Sequence, residues 1–447
     1  MRPTTRTLWL VAGWTLLGLL PALNNWLPAT LTRPDWQPAL VQLWQIATAA
    51  LVFLLLLDGF SVRQRRDIQV SREHHDSLAL GVWSPVTLRL THAFTRPVTI
   101  DIFDHIPAGA DADFPQQQGQ LQPGQGSEFH YRLRLPQRGN HQFGLLDILL
   151  TSQLGLWQRR MFCGESTTLK VYPNYAAVSQ YAMLAMEQQS GQLGIRKQQR
   201  RGEGMDFHQL REFRQGDSLR QIDWNATARQ RKLISKEYQD EKDQQILFLV
   251  DCGRRMRSHD GELSHLDHAL NALLLMSYAA LKQGDAVGMM SFGGEERWLK
   301  PVKGVANISR LLNLSYDLQA STRASDYSTA VRHLLTHHNK RALIVVLTDI
   351  QDENTDDLLP ALQLLQRKHL VLLANLEEPA LHQVLHTPVQ QFETALRYAG
   401  TLGYLEQRRQ VTQQLNRQGI ITVNCVPAQL PIQLVNKYFE IKRQGVL

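Results

Sequence analysis

Cysteine is scarce in this chain. The three residues Cys163, Cys252 and Cys425 lie far apart among 447, with no C-x-x-C spacing. That excludes a disulfide framework and a zinc knuckle, and it suits a reducing compartment. The common catalytic signatures are missing too: no Gly-x-Ser-x-Gly elbow, no H-E-x-x-H helix and no Gly-x-x-x-x-Gly-Lys loop occurs. No small-x-small cleavage pattern follows Leu23, so the apolar N-terminus does not read as a cleaved signal peptide. Low-complexity disorder is excluded by a composition 43% hydrophobic and 20% charged, which is enough for two or three domains with cores of their own.

The N-terminus holds two apolar stretches, about Leu8–Leu27 and about Ala39–Leu57. Each is near the roughly 20 residues that a bilayer span needs. Trp9, Trp26, Trp36 and Trp44 fall near the expected interfaces. Arg2 and Arg6 precede the first stretch, Arg63, Arg65 and Arg66 follow the second, and the connector holds Arg33 and Asp35. The positive-inside rule then puts both termini and residues 60–447 in the cytoplasm, below a transmembrane helical hairpin over residues 1–60.

Residues 62–175 alternate short apolar runs with Pro and Gly turn signals, and FHYRLRL (Phe129–Leu135) alternates strictly. This pattern predicts a small antiparallel, immunoglobulin-like β-sandwich. It gathers no catalytic groups, so a spacer or docking module is expected. His74 and His75 beside Asp76 read as exposed loop residues rather than metal ligands.

Residues 176–245 are a linker and a charged segment. Between Arg196 and Lys232 about ten Lys/Arg face about five Asp/Glu, so most of the chain's net charge of +7 is local. Arg211, Glu212, Phe213, Gly216 and Asp217 form a short strand ending in a Gly-Asp turn. The stretch Gln221–Trp224 follows as a second extended piece, and Asn225 is the expected N-cap of a helix. Arg211, Arg220 and Arg229 are expected to pair with Glu212, Asp217 and Asp223 over a packed Trp224. Such a network is either architectural or a docking surface.

From Ile246 the chain alternates βα to its end, beginning with ILFLV and Asp251. Apolar strands alternating with helices predict a doubly wound, mostly parallel sheet over 246–447. Asp251 and Asp349 fall at the carboxyl ends of two strands, where such sheets bind ligands. The acids Asp352, Glu353, Asp356 and Asp357 suit the N-terminus of the following helix.

The strand ending in Asp251, the Ser325-Asp326-Tyr327 turn and the strand ending in Thr348-Asp349 resemble a von Willebrand factor A domain. LREFRQGDSLRQIDWNATARQRKL (Leu210–Leu233), with GLWQRR (Gly155–Arg160), VYP (Val171–Pro173) and the terminal LVNKYFEIKRQGVL, is similar to the bacterial domain of unknown function 58 family. The resemblance implies a bacterial inner-membrane protein that accompanies a MoxR-type AAA+ ATPase in assembling or remodelling client proteins. It also implies a Mg²⁺ site of the Asp-x-Ser-x-Ser kind. Here Asp251 and Asp349 match that site, Ser325 stands where a Thr is usual, and Gly253 and Arg255 occupy the two Ser positions. Arg255 or Arg254 is then a candidate substitute for the cation.

Three function classes follow. A membrane-tethered, non-enzymatic interaction module is preferred. A hydrolase would have to use His208, Asp223 or Ser235. Nucleic-acid binding through residues 196–232 is not expected, because the segment carries few interleaved aromatics and acids that neutralise it.

Overall fold

The computed structural model describes residues 1–25, 37–63, 68–174, 206–214, 219–239, 244–350 and 355–446. It is a mixed α/β structure that falls into two compact units, Met1–Val171 and Tyr172–Leu447.

The first unit begins with two helices, α1 (Thr5–Asn25) and α2 (Gln37–Arg63). Within α2, Val41–Ser61 is long and apolar enough to cross a membrane. The expected first span ran to Leu27, and its end lies outside the described residues. Trp14 and Trp44 stack between the helices with ring centroids 6.1 Å apart.

Antiparallel strands follow. A short N-terminal strand β1 (Arg2–Pro3) joins the edge of a five-stranded sheet, ordered β1-β11-β10-β5-β7. Its other members are β5 (Val98–Asp104), β7 (Gln116–Leu121), β10 (Leu146–Thr151) and β11 (Trp157–Cys163). A four-stranded sheet runs β2-β4-β8-β6, from β2 (Ile68–Glu73), β4 (Ser84–His92), β6 (Asp111–Asp113) and β8 (Ser127–Arg134). A third sheet holds β3 (Ser77–Ala79), β9 (Gly139–Gln142) and β12 (Thr168–Tyr172). Val86, Leu88 and Leu90 alternate inward along β4, the period-2 pattern of a strand with one face in a core. One buried ion pair ties the two larger sheets together. The Arg72 guanidinium meets Asp104 at 2.6 Å, and the Tyr131 hydroxyl donates to the same carboxylate at 2.5 Å.

The turn between β10 and β11 grips the bases of both helices. The buried Asp58 carboxylate accepts the Leu154 and Leu156 amides at 3.1 and 3.3 Å. The Trp157 indole donates to the Leu55 carbonyl at 3.0 Å, and the Thr4 hydroxyl to the Gly155 carbonyl at 2.6 Å.

The second unit opens with an antiparallel ribbon, β13 (Asp206–Glu212) and β14 (Ile234–Gln239), linked by the short helix α3 (Trp224–Gln230). A six-stranded sheet follows, ordered β19-β18-β15-β20-β21-β22. Its strands are β15 (Gln245–Asp251), β18 (Ala286–Phe292), β19 (Trp298–Val302), β20 (Leu343–Thr348), β21 (Leu370–Leu376) and β22 (Ile421–Cys425); a small β16–β17 hairpin (His259–Asp260, Leu263–Ser264) precedes the first long helix. All pairings are parallel except the antiparallel edge strand β19.

Helices cover both faces because the strands are apolar on both. On one face lie α4 (His265–Lys282), α5 (Ile308–Ser315) and α10 (Leu430–Gln444), packed on Phe248, Val345 and Leu372. On the other lie α6 (Tyr327–His337), α7 (Thr355–Gln366) and the end of α9 (Phe392–Arg417), packed on Leu249, Val346 and Leu373. The helix α8 (Pro379–His386) and the first half of α9 are additions to the order read from the sequence.

Candidate functional site

The chain leaves β15 to build β18 and β19 on one side, then returns to build β20 on the other. The direction of winding therefore reverses between β15 and β20, the place at which such sheets bind ligands beyond the carboxyl ends of their strands. Val250 pairs with Leu347 across this boundary, so Asp251 and Asp349 lie at neighbouring strand ends as expected. Both carboxylates are fully buried.

Internal donors fill the oxygens of Asp251. Oδ1 accepts from the Ser325 hydroxyl at 2.5 Å and the Gly253 amide at 2.8 Å. Oδ2 accepts from the Thr348 hydroxyl at 2.7 Å and the Tyr327 hydroxyl at 3.3 Å. Burial pushes this carboxyl above its ordinary range, and the four donors pull it part of the way back. Gly253 is required by crowding. A β-carbon there would collide with the Ser325 hydroxyl and stand 3.1 Å from Asp251 Oδ1 and 3.2 Å from the Arg323 carbonyl.

Asp349 has a different setting. His265 Nδ1 lies 3.6 Å from its Oδ2, and Arg408 Nη1 lies 3.7 Å from its Oδ1. Arg408 is itself buried and donates to the Leu376 carbonyl at 2.6 Å. A guanidinium beside Asp349 thus comes from α9. Arg255, a candidate from the sequence for a guanidinium near the two carboxylates, is buried in the 3-10 turn Arg254–Arg257.

Mg²⁺ requires near-octahedral oxygen ligands. Here the place of one hydroxyl ligand is taken by the Gly253 backbone, Arg255 stands at the second, and a guanidinium adjoins the far carboxylate. The donor set does not fit the ion.

Helix α6 carries the Ser325–Tyr327 turn, and its start is fixed twice over. Asp326 caps it by accepting the Thr329 amide at 2.8 Å, a bond that holds the Asp326 carboxyl below its usual range. Asp357 reaches over from α7 to accept the Tyr327 amide at 2.8 Å. Asp357 therefore serves the N-terminus of α6. Asp352 and Glu353 lie outside the described residues, as does the side chain of Asp356.

The charged segment departs from expectation in three ways. Asp223, rather than Asn225, is the N-cap of α3, accepting the Asn225 and Ala226 amides at 2.9 and 3.0 Å. The acids pair with lysines: Glu212 with Lys232 at 2.9 Å and Asp223 with Lys236 at 3.3 Å. Arg211 donates to the Glu212 carbonyl at 3.1 Å, and Arg229 is exposed in the last turn of α3. Trp224 is not packed beneath the segment but is 68% exposed, with Leu219 at 74% and Leu233 at 48% nearby in sequence. The Phe213 amide donates to the Leu233 carbonyl at 2.8 Å, which closes the ribbon. Gly216 and Asp217 lie outside the described residues, as do the side chains of Arg220 and His208. Ser235 is buried.

Tyr327, His265 and Arg408 were not singled out as site residues by the sequence. The hydroxyl of Tyr327 adjoins a turn that was; His265 and Arg408 carry no local signal at all.

Residues 209–411 match the family model described as protein of unknown function DUF58. The uncharacterized protein YeaD of Bacillus subtilis strain 168 is 25% identical over 314 residues, 68% of this chain and 74% of that protein. Among solved structures, part of the Escherichia coli alpha-2-macroglobulin is 16% identical over 24% of this chain, with a TM-score of 0.22; this chain spans 17% of that one. The CARDB domain of PF1109 from Pyrococcus furiosus is 8% identical over 24% of this chain and 90% of its own, with a TM-score of 0.17. Neither structure bears on the site.

Proposed function

We propose that this chain, whose residues 209–411 match the model of the protein of unknown function DUF58 family, works as a membrane-anchored, non-catalytic protein-binding module. In this reading α1 and α2 form a hairpin through the bacterial inner membrane, with both termini and the folded units in the cytoplasm. Apolar side chains such as Ile46, Phe53, Leu56 and Leu57, exposed on α2, support lipid contact. The antiparallel sheets form an immunoglobulin-like sandwich. The α/β region is a von Willebrand factor A-like domain whose cation site has been replaced by the hydrogen bonds around Asp251, so binding is independent of metal.

The partner is a MoxR-type AAA+ ATPase, with its client, as the family resemblance implies. The observation that carries the reading is Trp224. A large aromatic held out at the start of α3 by the Asp223 cap, among exposed leucines and basic side chains, is the kind of residue that anchors an interface.

The test is capture of the full chain from membranes with ATP present, followed by mass spectrometry, alongside Trp224→Ala and Arg229→Glu variants. An ATPase should be recovered with the parent chain and lost with both variants. Recovery unchanged by the variants, or turnover by the isolated chain, would overturn the reading.

A further inference from the structure

The edge strand β22 has an open side. It is the last strand of its sheet and, among the described residues, pairs only with β21. The Glu377 amide takes the Cys425 carbonyl at 3.0 Å, so Cys425 turns its backbone groups toward β21. Alternation along a strand then directs the amides and carbonyls of Thr422 and Asn424 the other way, to the open edge. Among the described residues no backbone group bonds to them there.

Beside that edge runs a groove of about 470 Å³, floored by Thr422, Val423 and Asn424. Its far wall is one face of α10, built from Gln433, Asn436, Lys437, Glu440 and Arg443. Leu434, Val435, Tyr438 and Ile441 bury the opposite face, which fixes the rotation of the helix. The wall comes from the terminal LVNKYFEIKRQGVL stretch, which the interaction reading leaves without a role.

The charges in the groove do not cancel. Glu440 is held by Lys437 at 2.9 Å and by the Gln444 side-chain amide at 3.2 Å; Arg443, whose Nε donates to the Phe439 carbonyl at 3.3 Å, leaves the groove with two cations against one acid. An unpaired strand edge along an amide-bearing wall matches one ligand geometry, an extended backbone that adds a strand.

We propose that β22 and α10 form a docking groove for an extended segment of a partner protein, added as a seventh strand, with an acidic side chain set against Arg443. The backbone groups of Thr422 and Asn424 supply the pairing, and Arg443 supplies the preference for acid.

The probe is a fluorescent peptide, Thr-Val-Asp-Val-Thr, titrated against the full chain in detergent. A Lys-for-Asp peptide and an N-methylated peptide serve as comparisons, with amide exchange read at Thr422 and Asn424. The acidic peptide should bind and slow exchange at both amides. Arg443→Glu should weaken it about tenfold and favour the Lys peptide, whereas N-methylation should abolish binding. Asn424→Pro removes one edge donor at a position where an edge strand tolerates proline, and it should lose the peptide with its melting transition intact. Equal binding of the N-methylated peptide, protection elsewhere, or no binding at millimolar peptide would each overturn the proposal. So would self-association of the chain through this edge, abolished by Asn424→Pro.

Discussion

A β-carbon on residue 253 would occupy the space of the Ser325 hydroxyl, so Gly253 and Ser325 share a volume that admits one side chain. The same hydroxyl donates to Asp251, and the Gly253 amide donates to the same oxygen. Steric fit and hydrogen bonding at the strand ends are therefore coupled through these two residues.

Gly253→Ala should destabilise the α/β region by about 1–3 kcal/mol, the usual cost of overpacking a full site. Ser325→Ala alone should cost a similar amount, about 1–3 kcal/mol, by removing a donor from a buried carboxylate. The double variant should lose less than the sum, because the second change removes the atom with which the first collides. Urea denaturation of the four proteins closes the cycle; strict additivity would show that the two residues do not share the space.

Much of this site is legible in the chain because its pieces are local. Apolar runs that stop at an acid, ILFLVD and ALIVVLTD, put Asp251 and Asp349 at strand ends, and the Ser325-Asp326-Tyr327 turn announces a helix start. The unread parts are long-range or depend on register. Nothing near Arg408 in sequence points to Asp349, since the contact exists only once α9 packs beside β21. Pairing Glu212 with Ile234 in the ribbon is what brings Lys232 to Glu212. Trp224 next to charged residues reads as a ring to be buried, yet it falls at the first position of a helix with no buried residue.

Arg408 gives the largest expected effect. Replacing it with Met leaves Asp349 buried without its guanidinium and frees the Leu376 carbonyl, a change that typically costs about 3–5 kcal/mol. Lysine should not rescue it, because a single ammonium cannot reach both Leu376 and the carboxylate. Joint replacement, Arg408→Met with Asp349→Asn, should recover part of the loss. Thermal melting decides the matter, and an Arg408→Met protein as stable as the parent would show that the pair is idle.

His369 sets an acid limit. It is buried against His338, with ring centroids 5.9 Å apart, and Lys340 and Lys368 stand near the pair. Burial, and then the charge of His338 and Lys368, lowers its pKa from 6.5 to about 4. The unfolded chain therefore takes up a proton that the folded chain resists. The stability contributed by the neutral ring is complete above about pH 6.5 and is lost as pH falls toward 4. His369→Gln should flatten this part of the curve. Denaturant midpoints at pH 7, 6 and 5 would reveal it as a smaller acid-induced drop than in the parent.

Asp223 and Trp224 separate structure from recognition. Asp223→Ala removes the cap of α3 and the contact with Lys236, and it should destabilise the ribbon. Trp224→Ala changes an exposed side chain and should stay within about 0.5 kcal/mol. Amide exchange at Asn225 and Ala226 should accelerate in the first variant and not in the second. Faster exchange in Trp224→Ala would mean that the indole supports the fold after all.

The grip of the β10–β11 turn on the two helices yields the last expectation. Asp58 is a buried acid near the end of α2, and its carboxylate serves the Leu154 and Leu156 amides, which have no strand partner at that point. Trp157 reinforces these bonds by donating to the Leu55 carbonyl. Asp58→Ala should expose both amides, at a cost of about 1–3 kcal/mol for groups left without an acceptor. Asp58→Asn keeps one carbonyl oxygen and should lose less, and Trp157→Phe should retain the ring contact while dropping one bond. Exchange at Leu154 and Leu156 in the full chain is the direct measurement, and the order parent, Asn, Ala from slowest to fastest is the expected result. If Ala and parent exchange alike, the helix bases are held by Thr4 and Trp157 without the acid, and the burial of Asp58 needs another cause.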